Sequence, residues 1–266
     1  MREYDHLDVS ITDDVFRIAF DNPERYNPIN GDVHEELSYV FRDAAESDAA
    51  VVVLTGNGEA FSAGGDLNWM EECIEDQWEW DRGITEHVRI YEDILSCGKP
   101  IIARVNGDAV GAGVNFALMA DLVVATEDAK FGDVHVNAGL AAGDGGQIIF
   151  PFLTDIHTAK EMLMTGKIVT GGEAAEMGLV NYAVPEDELD DKVDELVDEL
   201  REGPQLAIQY TKLTINALLK EAANTNLLSG LSLEAINQKY PDHEEAVSAF
   251  QDGRQPDFPS ASDDDE

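Results

Sequence analysis

The chain reads as an α/β protein. β-Branched runs bounded by glycine turns alternate with helix-period segments through its first half, and the last third is almost wholly helical in pattern. Two of the turns carry most of the information. AFSAGGDL at 60–67 follows VVVLTG at 51–56, and NGDAVGAGVN at 106–115 overlaps the end of IIARVNG at 101–107. Each leads from a predicted buried strand into a helical pattern. Glycines let backbone approach a ligand closely, and unpaired amides at a helix start suit a developing negative charge. Two such turns converging on one point predict an oxyanion hole.

The elements follow in order. HLDVSITDDVFRIAFD near the N-terminus alternates apolar and polar residues around an Asp–Asp turn, which predicts a hairpin. A helix is predicted from Asp32, with Val33, Leu37, Val40, Phe41 and Ala44 on one face. After the first glycine turn, residues 68–82 are rich in Trp, Glu and Asp without a clean period, so a loop or lid is expected there. A helix over 84–97 leads to the second strand and turn, and DLVVAT at 121–126 is a further strand. FGDVHVNAGLAAGDGG then holds five glycines, which mark tight turns. From Gln147 the pattern is helical, with segments over 158–165, 172–177, 186–201 and 204–236. Strand, turn and helix thus recur at a spacing of roughly forty to fifty residues, as in α/β winding or a short solenoid.

Composition narrows the function classes. With 266 residues, 44% of them hydrophobic, the chain suffices for one full domain with a helical appendage. No run of eighteen apolar residues occurs and MREYDHLDVS lacks a signal-peptide core, so a soluble, cytoplasmic protein is expected, with no membrane partner. Cys73 and Cys97 imply no disulfide framework, and Cys97 in LSCGKP reads as a helix-end residue. Asp and Glu number 55 against 17 Lys and Arg, a formal net charge of −38. That surface repels phosphate backbones and argues against nucleic acid as a partner. The acidic residues are spread along the chain, which predicts adaptation to high salt, where the Debye length falls to ~3 Å at about 1 M.

Four segments in order, AFSAGGDL, the VNGxAxGxG frame, FG at 131–132, and TGxxxxxxEAxxxGLVNxxVP across 165–185, resemble the crotonase, or enoyl-CoA hydratase/isomerase, superfamily. The resemblance runs from NPERYNPIN near residue 22 to DHEEAVSAFQDGRQPDF near residue 258. It implies a crotonase-like spiral of repeated ββα units over 1–200, a helical region over 201–258 used in assembling homotrimers or dimers of trimers, and an acidic tail over 259–266. It also implies an acyl-CoA thioester substrate, with coenzyme A entering as part of that substrate and no tightly bound cofactor. By position, the amides of Ala63 and Ala112 would hold the thioester oxygen. Arg25 and Pro28 would approach the CoA phosphates and adenine, and Ser62, Asp66 and Leu67 would lie at the adenine pocket. Phe250 and Arg254 would reach CoA from a neighbouring subunit, with Gly253 standing where a lysine is common.

The acid–base positions depart from the hydratase pattern. Where a hydratase carries two glutamates twenty positions apart, this chain has Asn115 and His135. An amide cannot exchange a proton near neutral pH, though it can position water or a carbonyl. An imidazole can exchange one, so His135 is a candidate proton carrier, the bland reading being a core histidine. Asp144 in GDGGQ is either a helix cap, an orienting partner of His135 or a second carrier. Asp66 is expected to fix its turn, and Asp133 to be exposed. A Ser62–His135–Asp144 hydrolase triad lacks the GxSxG elbow. No HExxH or cysteine pair suggests a metal, and no GxGxxG lies in a dinucleotide-binding context. Trp69, Trp78 and Trp80 are candidates for an acyl pocket or for packing. Isomerisation, decarboxylation, hydrolysis or simple thioester binding therefore stand beside hydration.

Overall fold

Parallel strands need helical crossovers, and the chain supplies them in sequence. The computed structural model describes residues 2–261. β1 (Leu7–Thr12) and β2 (Val15–Phe20) form the predicted hairpin, with Asp13 and Asp14 at φ 51 and 63, the twist a two-residue turn requires. β3 (Pro28–Ile29) precedes α1 (Gly31–Glu46), whose side chain cap is Asn30 and whose buried face includes Val33, Leu37, Val40, Phe41 and Ala44. β4 (Val51–Gly56) and β5 (Gly64–Gly65) lead to α2 (Leu67–Glu75) and α3 (Gln77–Ser96). The stretch 68–82 is therefore helical, a correction to the expected loop. Asp66 and Asp76 each accept a backbone hydrogen bond at a helix start, so two side-chain caps begin two separate helices and the break at Asp76 keeps one period from running through the stretch.

β6 (Ile101–Val105), β7 (Ala109–Val110), α4 (Ala112–Leu118), β8 (Leu122–Thr126) and β9 (Lys130–Gly132) repeat the unit. α5 (Gly146–Leu153), α6 (Ile156–Thr165), β10 (Val169–Thr170), α7 (Gly171–Glu176), β11 (Tyr182–Val184) and α8 (Leu189–Glu202) follow, then α9 (Gln205–Asn237) and α10 (Pro241–Gln251). One sheet runs in the order β1-β2-β4-β6-β8-β11, parallel from β2 onward. All of β4 is buried, as a sheet covered on both faces requires. Val52 and Leu54 face the main core with α1, while Val51 and Val53 face a second cluster with Val193, Leu196 and Val197 of α8.

The C-terminal helices fold back on the same chain. Leu227 and Leu231 of α9 enter the main core, Lys212 pairs with Asp121 at 2.7 Å, and Asn216 donates to the Leu95 carbonyl at 3.2 Å. His243 of α10, 0% exposed, sits 2.7 Å from the Ala138 carbonyl. Of the expected tail, Ser260 lies in a turn over 259–261 and donates its backbone N–H to Asp242 at 2.9 Å, and 262–266 lie outside the described residues.

Candidate active site

The two glycine turns meet. Ser62 and Ala109 form an isolated parallel bridge, and Val110 N–H donates to the Ser62 carbonyl at 3.1 Å. Gly64 has φ +87, and a Cβ there would stand 2.7 Å from the Val110 carbonyl oxygen and 3.4 Å from Gly111 Cα. Only glycine allows the two backbones this approach.

Which amides the turns offer differs from expectation. Ala63 N–H donates to the Tyr26 carbonyl at 2.8 Å, so it is consumed internally and cannot receive a ligand; this corrects the sequence assignment. Asp66 N–H is likewise spent, on the Ile29 carbonyl at 2.9 Å. Gly65 lies between them, paired with Ile29 in a parallel ladder, and alternate amides of an extended strand point to opposite sides. The Gly65 N–H is therefore turned away from β3, on a residue that lines the cavity. Ala112 lines it too, as the first residue of α4, where the helix provides no intrahelical acceptor for the N–H.

That cavity has a volume of about 770 Å³, the scale of a substrate cleft. Pro28, Asp66 and Leu67 lie on its wall with Arg25, the one Arg or Lys among the described lining residues. Arg25 pairs with the buried Asp66 at 2.7 Å while its own side chain stays 51% exposed. The Asp66 side chain also accepts from Asn68 N–H, fixing its turn as expected. Trp69 and Trp80 line the cavity, whereas Trp78 is 80% exposed and does not.

One further expected contact is corrected. Ser62 is 0% exposed, with its hydroxyl donating to the Asn27 carbonyl and accepting from Gly64 N–H, so it holds the turn and is outside the cavity lining. Phe250 lines the cavity of its own chain, because α10 packs on α2. Arg254 is absent from the lining; Glu245 and Asp252 hold it on the surface.

Beside the turns lies a buried polar cluster. His135 starts a 3-10 turn over His135–Ala138, with its side chain 10% exposed. Its Nδ1 is 2.5 Å from Asp133 Oδ1 and its Nε2 is 3.4 Å from Asp144 Oδ2. Asp133 is 1% exposed, which corrects its expected exposure. Asp144 caps no helix: α5 begins after Gly145 without a side-chain cap, and the carboxylate instead accepts from Asn115 Nδ2 at 2.7 Å. Asn115 donates to Asp133 at 3.1 Å as well and does not line the cavity, so it bridges two carboxylates behind the site and cannot itself position substrate or water there.

Electrostatics follow from that packing. Burial works against charge on His135, but the carboxylates of Asp133 and Asp144 overcome it and hold the imidazole well above its ordinary value. Asp144 is also buried, yet the His135 charge draws it down to about 2. Asp133, His135 and Asp144 present potential metal-ligand atoms all within 4.8 Å of one another. Their oxygens are engaged by His135 and Asn115, so they hold each other as they stand.

Two groups escaped the sequence reading. Glu234 of α9 lines the cavity, 5% exposed, with Oε1 4.0 Å from His135 Nε2. His87 of α3 lines it also, beside His34, which pairs with Glu86 at 3.1 Å. No short motif connects these residues to the glycine turns; only the α3–α9 packing does.

The fold is an α/β arrangement in which two glycine turns meet at a cleft beside a buried histidine–carboxylate cluster. The chain belongs to the enoyl-CoA hydratase/isomerase family, whose model matches residues 10–261. A putative enoyl-CoA hydratase/isomerase of Bacillus subtilis is 33% identical over 89% of this chain and 91% of its own. The crystal structure of an enoyl-CoA hydratase/isomerase from Mycobacterium paratuberculosis superposes with a TM-score of 0.88 at 31% identity, over 91% of this chain and 97% of that one. A β-diketone hydrolase from the cyanobacterium Anabaena has the same fold, with a TM-score of 0.81 at 27% identity over 89% and 95% of the two chains. Among the described residues no helix is long and apolar enough to cross a membrane.

Proposed function

We propose that this enzyme binds an acyl-CoA thioester and passes it through an enolate, in the manner of an enoyl-CoA hydratase or isomerase. The observation that carries the reading is the backbone contact of the two turns, which sets Gly65 and Ala112 on the wall of the cavity that His135 also lines. Their amides donate to the thioester oxygen as negative charge develops on it, and each donor of this kind lowers the barrier by about 3–4 kcal/mol. His135, oriented by Asp133 and Asp144, exchanges protons with water or with carbon, and Asn115 keeps both carboxylates in place. Arg25 at the cavity wall supplies the positive charge for the CoA phosphates, Pro28 and Leu67 its apolar contacts, and no tightly bound cofactor is needed.

A second reading is hydrolysis, in which water adds to a carbonyl and an enolate leaves. The absence of a carboxylate at 115, with a histidine–aspartate pair in its stead, favours weighing it, and the Anabaena relative is named for such a reaction. Assembly into homotrimers or dimers of trimers accompanies either reading, supported by exposed Leu206, Tyr210, Ile215 and Leu218 on α9. The acidic surface suits a salt-rich cytoplasm.

The test is a panel of enoyl-, 3-hydroxyacyl-, malonyl- and branched acyl-CoAs, with a 1,3-diketone added, assayed in molar KCl with products identified by mass. Hydration or double-bond migration of an enoyl-CoA is expected. Turnover of the diketone alone replaces the first reading with the second, and tight acyl-CoA binding without turnover of anything removes both in favour of a binding subunit.

A further inference from the structure

We propose that Glu234, delivered by the distant helix α9, is the second proton carrier of this site and gives its proton to C2 of the substrate enolate. The proposal rests on the acyl-CoA reading above and deepens it. Hydration moves two protons, one off water and one onto carbon, and a chain with Asn115 at one of the two expected carboxylate positions lacks a carrier there. The cavity contains a replacement.

Glu234 reaches the cavity lining from α9, where neighbouring Leu231 is fixed in the main core. It is 5% exposed, and among the described residues no donor meets its Oε2 in good hydrogen-bond geometry. A buried carboxyl oxygen without a partner is costly, and a structural role normally ends in a hydrogen bond. Here the backbone of Gly143 makes room for the group: a Cβ on that residue would stand 2.8 Å from Oε2. Oε1 lies 4.0 Å from His135 Nε2, so the two carriers face the same space.

Protons balance over one cycle. His135 Nε2 accepts a proton from water as the O–H bond breaks and the oxygen bonds to C3. The C2=C3 pair shifts into the enolate held by the two amides. Glu234 then loses its proton to C2, the thioester carbonyl re-forms, and the pair resets when His135 returns a proton to Glu234 through a side-chain shift or one bridging water. The active state therefore holds one proton between the two groups, on Glu234 for hydration and on His135 for the reverse.

The facing groups set the pH range. Burial pushes Glu234 up to about 8; His135 pulls against this, while Asp144 and Asp133 add to it, and the nearby Gly143 backbone pulls it down. With His135 also raised, both carriers hold protons below about 8, and the singly protonated pair appears only above it. Hydration should rise with pH through that value.

The experiment measures crotonyl-CoA hydration from pH 6 to 10 and butyryl-CoA binding, in molar KCl, for the wild type, Glu234→Gln and Glu234→Asp. Expected are a loss of kcat on the order of 100-fold or more in Glu234→Gln, binding within about threefold, a missing rise near 8, and partial recovery in Glu234→Asp. A Glu234→Gln enzyme with an unchanged melting temperature, kcat within threefold of wild type and the same pH profile overturns the proposal. If Glu234→Gln unfolds, the pH profiles of the wild type and Glu234→Asp decide: a shared profile without a rise near 8 overturns it. A wild type that binds no butyryl-CoA overturns the acyl-CoA reading and this proposal with it.

Discussion

Asn115 shows how one residue changes role without leaving its place. Its Nδ2 donates to Asp133 at 3.1 Å and to Asp144 at 2.7 Å, so two buried carboxylates share one amide. Asn115→Leu removes both donors at similar size, and we expect it to cost about 1–3 kcal/mol in urea unfolding and to lower kcat by releasing His135. Unchanged stability would remove the bridging role. His87 offers a pH signature. Burial, offset in part by Asp144, pulls its imidazole down to about 4 against an ordinary 6.5. Its folded value is depressed, so its contribution is complete above 6.5 and is lost as pH falls toward 4, by about 3 kcal/mol. Urea titrations at pH 7 and 4.5 should show a smaller acid loss in His87→Phe than in the wild type. An equal loss in both would assign the acid sensitivity elsewhere.

At the scale of elements, the strands, the hairpin, α1 and the glycine turns were legible because each is a local signal. β4 is an unbroken apolar run, and Asp13–Asp14 punctuates the hairpin. The stretch 68–82 was not legible as helix, since Asp76 divides it between the end of α2 and the first turns of α3, so no single period runs through it. The choice between Ala63 and Gly65 depended on strand phase: one step along an extended chain reverses an amide, and the sequence does not reveal which carbonyls of 26–29 lie opposite. The His135–Asp144 pairing was readable as an option, but Glu234 was not. It lies about a hundred residues from His135, and only packing of α9 joins them. Gly64→Ala tests the turn itself. Its φ of +87 and a Cβ 2.7 Å from the Val110 carbonyl force the two turns apart. A fall of at least tenfold in kcat is expected for this substitution, with loss of stability of about 1–3 kcal/mol. A fully active variant would show that the close approach is dispensable.

For the whole molecule, the charge of −38 is the dominant fact. Ion pairs such as Arg17–Asp8 and Arg42–Asp93 leave most carboxylates without a cation, since only 17 Lys and Arg exist to meet 55 acids. Self-repulsion is therefore strong in dilute buffer and weak when screened. The melting temperature should fall by about 10 °C or more between 2 M KCl and salt-free buffer, read by calorimetry. Equal values in both would reject salt adaptation.

In the proposed reaction an acyl-CoA enolate forms at the Gly65 and Ala112 amides and is protonated within this cavity. Turnover of crotonyl-CoA in D2O, with deuterium located by mass spectrometry, tests it most directly. Stereospecific deuterium at C2 is the expected result, with incorporation falling on the order of 100-fold or more in His135→Gln while butyryl-CoA still binds. Rapid turnover that leaves C2 free of deuterium, or incorporation indifferent to His135→Gln, contradicts it.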